Sequence, residues 1–421
     1  MKFKLNFFSS FTTYMIMTAT AVTIITLIPA NAIDFKADVY SETGTQSIRE
    51  NSPLNPSNRF NLNEEEFYTR AAITAKGSYK DSKGFVKFEG IYAPVDFTRT
   101  STESSSKKDR TYLKAAYIDF QQEDWSAGIG KQFVTWGSGA FFYPLDIINY
   151  NRDPLRPLDE AEGNSYLRLS SYYFEYFTPE LFIVTVPERS PYQLMKAKEM
   201  QLVPKISFTQ QNLSGFFFAR LRGSKRPLWG ANLSYVNSIF ENTDLTLYVE
   251  GILRSDREKL SLETIDNSNN TNNSDTTRYP AMLLGMQTRT TFTTTKWIDG
   301  IIFNYEYFYD RKNWSKQEFN TFLTNPLLYY SQYSIFTNSR SYNFFSIFLE
   351  SFLYKDLKVG CGSVMNSNDN SVLYLPEISY SLSNQNARIG VRAIIFTGNS
   401  DSEFGTYPLN NQILGYGELT F

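Results

Sequence analysis

Residues 244–254 read DLTLYVEGILR, and their spacing decides the fold class. Leu245, Leu247, Val249 and Leu253 fall on one parity; Thr246, Tyr248, Glu250 and Arg254 fall on the other. Successive side chains of a strand point to opposite faces, so this segment has one apolar and one polar face. The same pattern sets Ile301, Phe303, Tyr305 and Tyr307 against Asn304, Glu306 and Asp310. It also sets Ile389, Val391, Ala393 and Ile395 against Arg388 and Arg392. One face suits lipid and the other suits water.

Working outward, the chain divides into eighteen such segments: 33–40, 64–79, 84–94, 110–120, 125–135, 164–175, 181–186, 203–210, 214–222, 229–238, 244–254, 281–292, 300–310, 341–352, 356–365, 371–382, 387–397 and 412–421. Sixteen is the alternative count. The gaps alternate in length. Tight turns at 80–83, 121–124, 176–180 and 383–386 interleave with long polar stretches at 41–63, 95–109, 136–163, 187–202, 255–280, 311–340 and 398–411. Two gaps that should be long, 223–228 and 366–370, are short. Short turns at one end and long loops at the other are the pattern of a transmembrane antiparallel up-and-down β-barrel, an all-β fold.

Composition narrows the function. The chain has 421 residues, 41 Lys and Arg, 43 Asp and Glu, no His and one Cys. A histidine general base, a Ser-His-Asp triad and a histidine-bound metal are excluded, as is a cysteine zinc site or a disulfide framework. Cys361 lies in a largely apolar strand and reads as a small hydrophobe. A net charge of −2 without a basic tract argues against nucleic acid as a partner. No cofactor is implied. Gly128-Ile129-Gly130-Lys131 lacks the spacing of a phosphate loop. Neighbouring acids such as Glu160 and Glu162 read as solvated loop charges, and the run 266–277 (DNSNNTNNSDTT) as an exposed loop.

The N-terminus reads as an export signal. Lys2 and Lys4 precede an uncharged run from Met15 to Ile28, and Ala30-Asn31-Ala32 has the form of a cleavage site. The expected organisation is a signal peptide over 1–32 and a barrel over 33–421, with the loop at about 136–163 folding inward. No later stretch has the 18 or so apolar residues that a spanning helix needs, so the strands must do the spanning. Ile413, Leu419 and Phe421 share a face of the last strand, and this resembles the aromatic-ended assembly signal of bacterial outer-membrane barrels.

Residues 130–137 (GKQFVTWG) followed by 144–154 (PLDIINYNRDP) resemble a G-[RK]-Q-x-x-x-W-G … D-x-x-N-x-x-x-D-P signature. It occurs in a group of bacterial outer-membrane porins that includes alginate-export-like channels. The resemblance covers some 25 residues and implies a porin without naming its solute.

The loop itself carries Phe141, Phe142 and Tyr143 beside Asp146, Asn149, Arg152, Asp153 and Arg156, and three prolines that disfavour pairing. A barrel of this size leaves an aqueous channel unless something narrows it. The expected constriction is this loop, with an external lid as the alternative. Alternation also turns charges inward. Arg70, Lys76, Lys87, Lys114, Arg168, Arg220 and Arg222 come from the first half; Glu250, Glu306, Glu350, Glu377 and Glu418 come from the second. Opposite walls would then carry opposite charge, with Glu89, Arg254, Arg289, Arg388 and Arg392 breaking the separation. The expected function is an outer-membrane channel for passive or weakly selective diffusion of small solutes, and not an enzyme. The expected partners are outer-membrane lipids, the barrel-assembly machinery and small solutes, with monomer and trimer both open. The alternatives are a surface adhesin or receptor barrel, and an exporter of polysaccharide or hydrophobic compounds. A siderophore-type transporter would need a plug domain, and a soluble exported β-sandwich array would not need alternating loops.

Overall fold

The structure is a computed structural model. It describes residues 33–58, 64–81, 84–100, 112–147, 164–190, 193–222, 225–254, 278–293, 295, 297–324, 338–382 and 386–421. Backbone alone is described for 33–35, 56, 66–73, 76–81, 84–100, 112–114, 186–190, 193–199 and 225. The expected signal peptide, Asn149, Arg152, Asp153 and Arg156 lie outside the described residues.

Among the described residues there are eighteen strands: β1 (Ile33–Ile48), β2 (Glu65–Asp81), β3 (Gly84–Thr100), β4 (Tyr112–Gln121), β5 (Trp125–Gln132), β6 (Asn164–Ser171), β7 (Phe177–Ser190), β8 (Gln193–Gln210), β9 (Leu213–Arg222), β10 (Lys225–Phe240), β11 (Thr243–Arg254), β12 (Tyr279–Thr291), β13 (Gly300–Asp310), β14 (Ser341–Glu350), β15 (Leu357–Asn366), β16 (Val372–Leu382), β17 (Ala387–Thr397) and β18 (Leu409–Thr420). Each is antiparallel to the next, and β1 pairs with β2 on one edge and with β18 on the other, from Asp38 opposite Thr420 to Ile48 opposite Leu409. Every strand therefore has a partner on both edges, which removes the exposed-edge problem of an open sheet. No helix among the described residues is long and apolar enough to cross a membrane.

The two faces sort as the alternation requires. Leu247, Val249, Ile347, Ile389, Val391 and Ile413 are exposed, while Tyr248, Glu250, Phe308, Phe344 and Ile394 are buried. An exposed apolar band of this extent is what a barrel presents to hydrocarbon. Ile413, Leu419 and Phe421 all lie on that outward face. Trp125, Tyr173, Phe174, Phe240, Trp297 and Tyr354 sit exposed at or beside the short turns.

Parts of three polar stretches expected as loops are strand instead. β1 continues to Ile48, β3 to Thr100, and β7 and β8 approach each other until only 191–192 separates them. A strand that rises above the hydrocarbon no longer needs an apolar face, so polarity there does not mark its end. The stretch 311–340 also holds a helix, α1 (Lys316–Thr324). It starts at a capping box: Ser315 Oγ accepts from the Glu318 N–H, and Glu318 Oε2 accepts from the Ser315 N–H at 2.8 Å. Phe319 and Phe322 of α1 pack with Trp314 and Leu54, a small core at the long-loop end.

Candidate functional site

The chain leaves β5 at Gln132, and its next described residues, 133–147, lie on the inner face of the wall. Trp136 is edge-on to Phe182 of β7, with ring centroids 5.3 Å apart, and lies 4.9 Å from Phe218 of β9. Phe142 stacks on Phe308 of β13 at 4.7 Å, and Phe141 on Phe344 of β14 at 4.8 Å. β14 stands nine places from β5 in a ring of eighteen, so the segment reaches the opposite wall.

Two carboxylates of the wall hold this segment. Glu250 Oε1 accepts from the backbone N–H of Ser138 and, at 3.1 Å, from that of Gly139. Glu306 accepts from the N–H of Ala140, from Phe141 at 3.1 Å and from Phe142 at 3.0 Å. Tyr248 Oη donates to Glu306 at 2.6 Å, and Asn232 Nδ2 donates to Ser138 Oγ at 3.2 Å. Both carboxylates are fully buried. Five successive backbone donors thus end on two acids, which satisfies groups that a buried loop would otherwise strand. Gly137 makes the approach feasible. Its φ is +96°, and a Cβ there would stand 2.5 Å from Glu250 Oε1. Glu250 and Glu306 therefore point inward, but they anchor backbone instead of facing a solute.

Of the other expected residues, Arg220 is buried and donates to the carbonyl of Ile147 at 3.3 Å, the last described residue of the segment. Asp146 turns on the carbonyl of Tyr143, which accepts its N–H at 3.1 Å. Arg222 shares the inner parity of β9 with Arg220. Arg168 pairs with Asp119 at 3.0 Å. That pair, and Lys205 with Glu180 at 2.5 Å, correct the expectation of opposite walls with opposite charge. Acids stand among the bases of the first half, and Arg254, Arg388 and Arg392 pair with Asp310, Glu377 and Glu42 elsewhere.

A second segment, 398–408, also packs inward. Phe404 lies fully buried among Phe396 and Tyr342, and Glu403 is buried beside it. Glu403 accepts from Tyr342 Oη at 2.6 Å, from Asn366 Nδ2 at 2.9 Å, and from the Asn338 N–H at 3.0 Å. Burial holds its carboxyl above the usual carboxylate range. Sequence reading passed over Glu403, Asp119 and Glu180, and gave Tyr248 its inward face but no role. Asp119 and Glu180 have inward parity, the signal that would have found them. Glu403 sits in a loop and has no such signal.

Neither a protein-family model nor a curated protein matches the sequence. Solved structures match in shape. OprD of Pseudomonas aeruginosa has a TM-score of 0.56 at 11% identity, covering 92% of this chain and 95% of that chain. The fold is that of the OprD/Occ porin barrels. OccAB1 of Acinetobacter baumannii has a TM-score of 0.58 at 7% identity, covering 92% of this chain and 96% of that one. OpdQ of Pseudomonas aeruginosa has 0.56 at 9%, covering 92% and 98%. The likeness to OprD/Occ barrels reaches the porin fold. The narrower alginate-export-like grouping stays a reading of the motif.

Proposed function

We propose that this chain is a channel of the bacterial outer membrane that passes small solutes by passive or weakly selective diffusion. The segment beginning at Trp136 is its constriction. One observation supports the reading: a backbone that leaves β5 runs inside the wall and is bonded to β11 and β13 on the far side, so it takes up room in the bore. Asn149, Arg152, Asp153 and Arg156, the charged and polar residues expected of the constriction, lie outside the described residues, and their part in the passage is left to the test below. The outward apolar face meets outer-membrane lipid, and the exposed aromatics near the short turns sit at its interface. Ile413, Leu419 and Phe421 serve recognition by the barrel-assembly machinery. Adhesin and exporter readings gain nothing comparable, since a pinned loop across the bore suits filtering of small solutes.

The test is single-channel recording of purified, refolded protein in a planar bilayer. Discrete conducting steps are expected, and their absence at every voltage overturns the channel. Replacing Arg152, Asp153 and Arg156 together by Ala should change both conductance and ion preference. Unchanged steps would remove the loop from the passage.

A further inference from the structure

We propose that the inner wall is charge-balanced by short-range ion pairing, so that the channel favours neutral and zwitterionic polar solutes over small ions of either sign. This rests on the channel reading above and names its solute class.

Among the described inward side chains, six bases are matched locally with acids, while Arg220 meets the Ile147 carbonyl and Lys358 lies over the Phe348 ring. Arg168 meets Asp119 at 3.0 Å, Lys205 meets Glu180 at 2.5 Å, and Arg254 meets Asp310 at 3.1 Å. Arg289 meets Glu350 at 3.0 Å, Arg388 meets Glu377 at 2.9 Å, and Arg392 meets Glu42. Four of these pairs reach over an intervening strand. Arg168 and Asp119 do so across Gly128 of β5, where a Cβ would stand 2.2 Å from Asp119 Oδ1. The wall gives up a side chain there to let the pair close. Where backbone alone is described, the register repeats the theme: Arg70 lies opposite Asp96, Lys76 opposite Glu89 and Lys87 opposite Asp119.

The consequence follows from the range of each field. An unpaired charge acts over the Debye length, about 10 Å at 0.1 M salt. A pair closed at 3 Å presents a dipole, whose field falls off faster. Ion-selective pores rely on rings of one sign, whereas these pairs set the two signs side by side. Such a wall offers a donor and an acceptor side by side, matching a solute that carries both.

The experiment is a reversal-potential measurement in a planar bilayer under a potassium chloride gradient. The wild-type cation-to-anion permeability ratio is expected within about twofold of unity. Asp119→Asn removes the acid beside Arg168 and should shift the ratio toward chloride. Arg168→Gln should shift it toward potassium, and the double variant should return it to the wild-type value. A distortion of the barrel would not reverse sign between the two single variants. A wild-type ratio beyond about fivefold either way, or single variants that move together, overturns the charge balance while leaving the channel standing. Failure to conduct at all counts against the channel itself.

Discussion

Replacement of Glu306 by Ala tests the anchoring of the loop most directly. Four donors end on this carboxylate: the N–H groups of Ala140, Phe141 and Phe142, and the Tyr248 hydroxyl. A buried donor left unsatisfied costs about 1–3 kcal/mol, so a loop that stayed seated would lose on the order of 4–12 kcal/mol. Glu250 keeps its bonds to Ser138 and Gly139; what holds residues 140–142 otherwise is burial of Phe141 and Phe142, about 1.5–3 kcal/mol each, and their stacking on Phe344 and Phe308, about 0.5–1.5 kcal/mol each. The two sides are of similar size, so the loop should leave its seat for much of the time. The assay is single-channel conductance beside the wild type. Glu306→Ala should conduct about twofold more or better, with frequent switching between levels, because a barrel this wide is open when nothing divides it. Steps of wild-type size and steadiness would refute both the anchoring role and the assignment of the loop to the bore.

Gly137→Ala places a methyl group against the Glu250 carboxylate at a φ of +96°. It should cost about 1–3 kcal/mol, lowering the temperature at which the folded form is lost on semi-native gels. Deleting Phe421 removes its two backbone bonds to Ala37 at the β1–β18 seam, 2.9 and 3.1 Å, and should reduce the yield of folded barrel in refolding into vesicles. Glu403 has a raised carboxyl in the folded state, so the segment 398–408 gains stability as pH falls below that raised value and loses it as pH rises through it. Proteolysis of this segment should therefore be slower in mild acid than at neutral pH, and Glu403→Gln should abolish the difference. Equal cleavage rates in the wild type would contradict the assignment.

Alternation together with the spacing of turns located the strands, read as eighteen with sixteen as the alternative, because a wall between lipid and water imposes period two. It also put Leu247 and Val249 outside and Glu250 and Glu306 inside. It failed where only water lies on both sides, as in β7 and β8 above the hydrocarbon, where polar strand and polar loop have the same composition. The helix α1 was missed: Ser315 and Glu318 have the spacing of a capping box, but they lie in a long polar gap read as a loop.

What Glu250 and Glu306 do was beyond the sequence. Inward parity says that a carboxylate faces the lumen. It does not say whether the carboxylate meets water, a base or a backbone. That depends on which strand stands opposite β5 once the ring closes, and so on a contact between residues more than a hundred positions apart. The same holds for Arg168 and Asp119, which meet because strand register puts Gly128 between them. Periodicity along the chain determined the barrel and its two faces. Closure of the sheet decided which inward groups pair and which hold the loop, because those interactions act across strands.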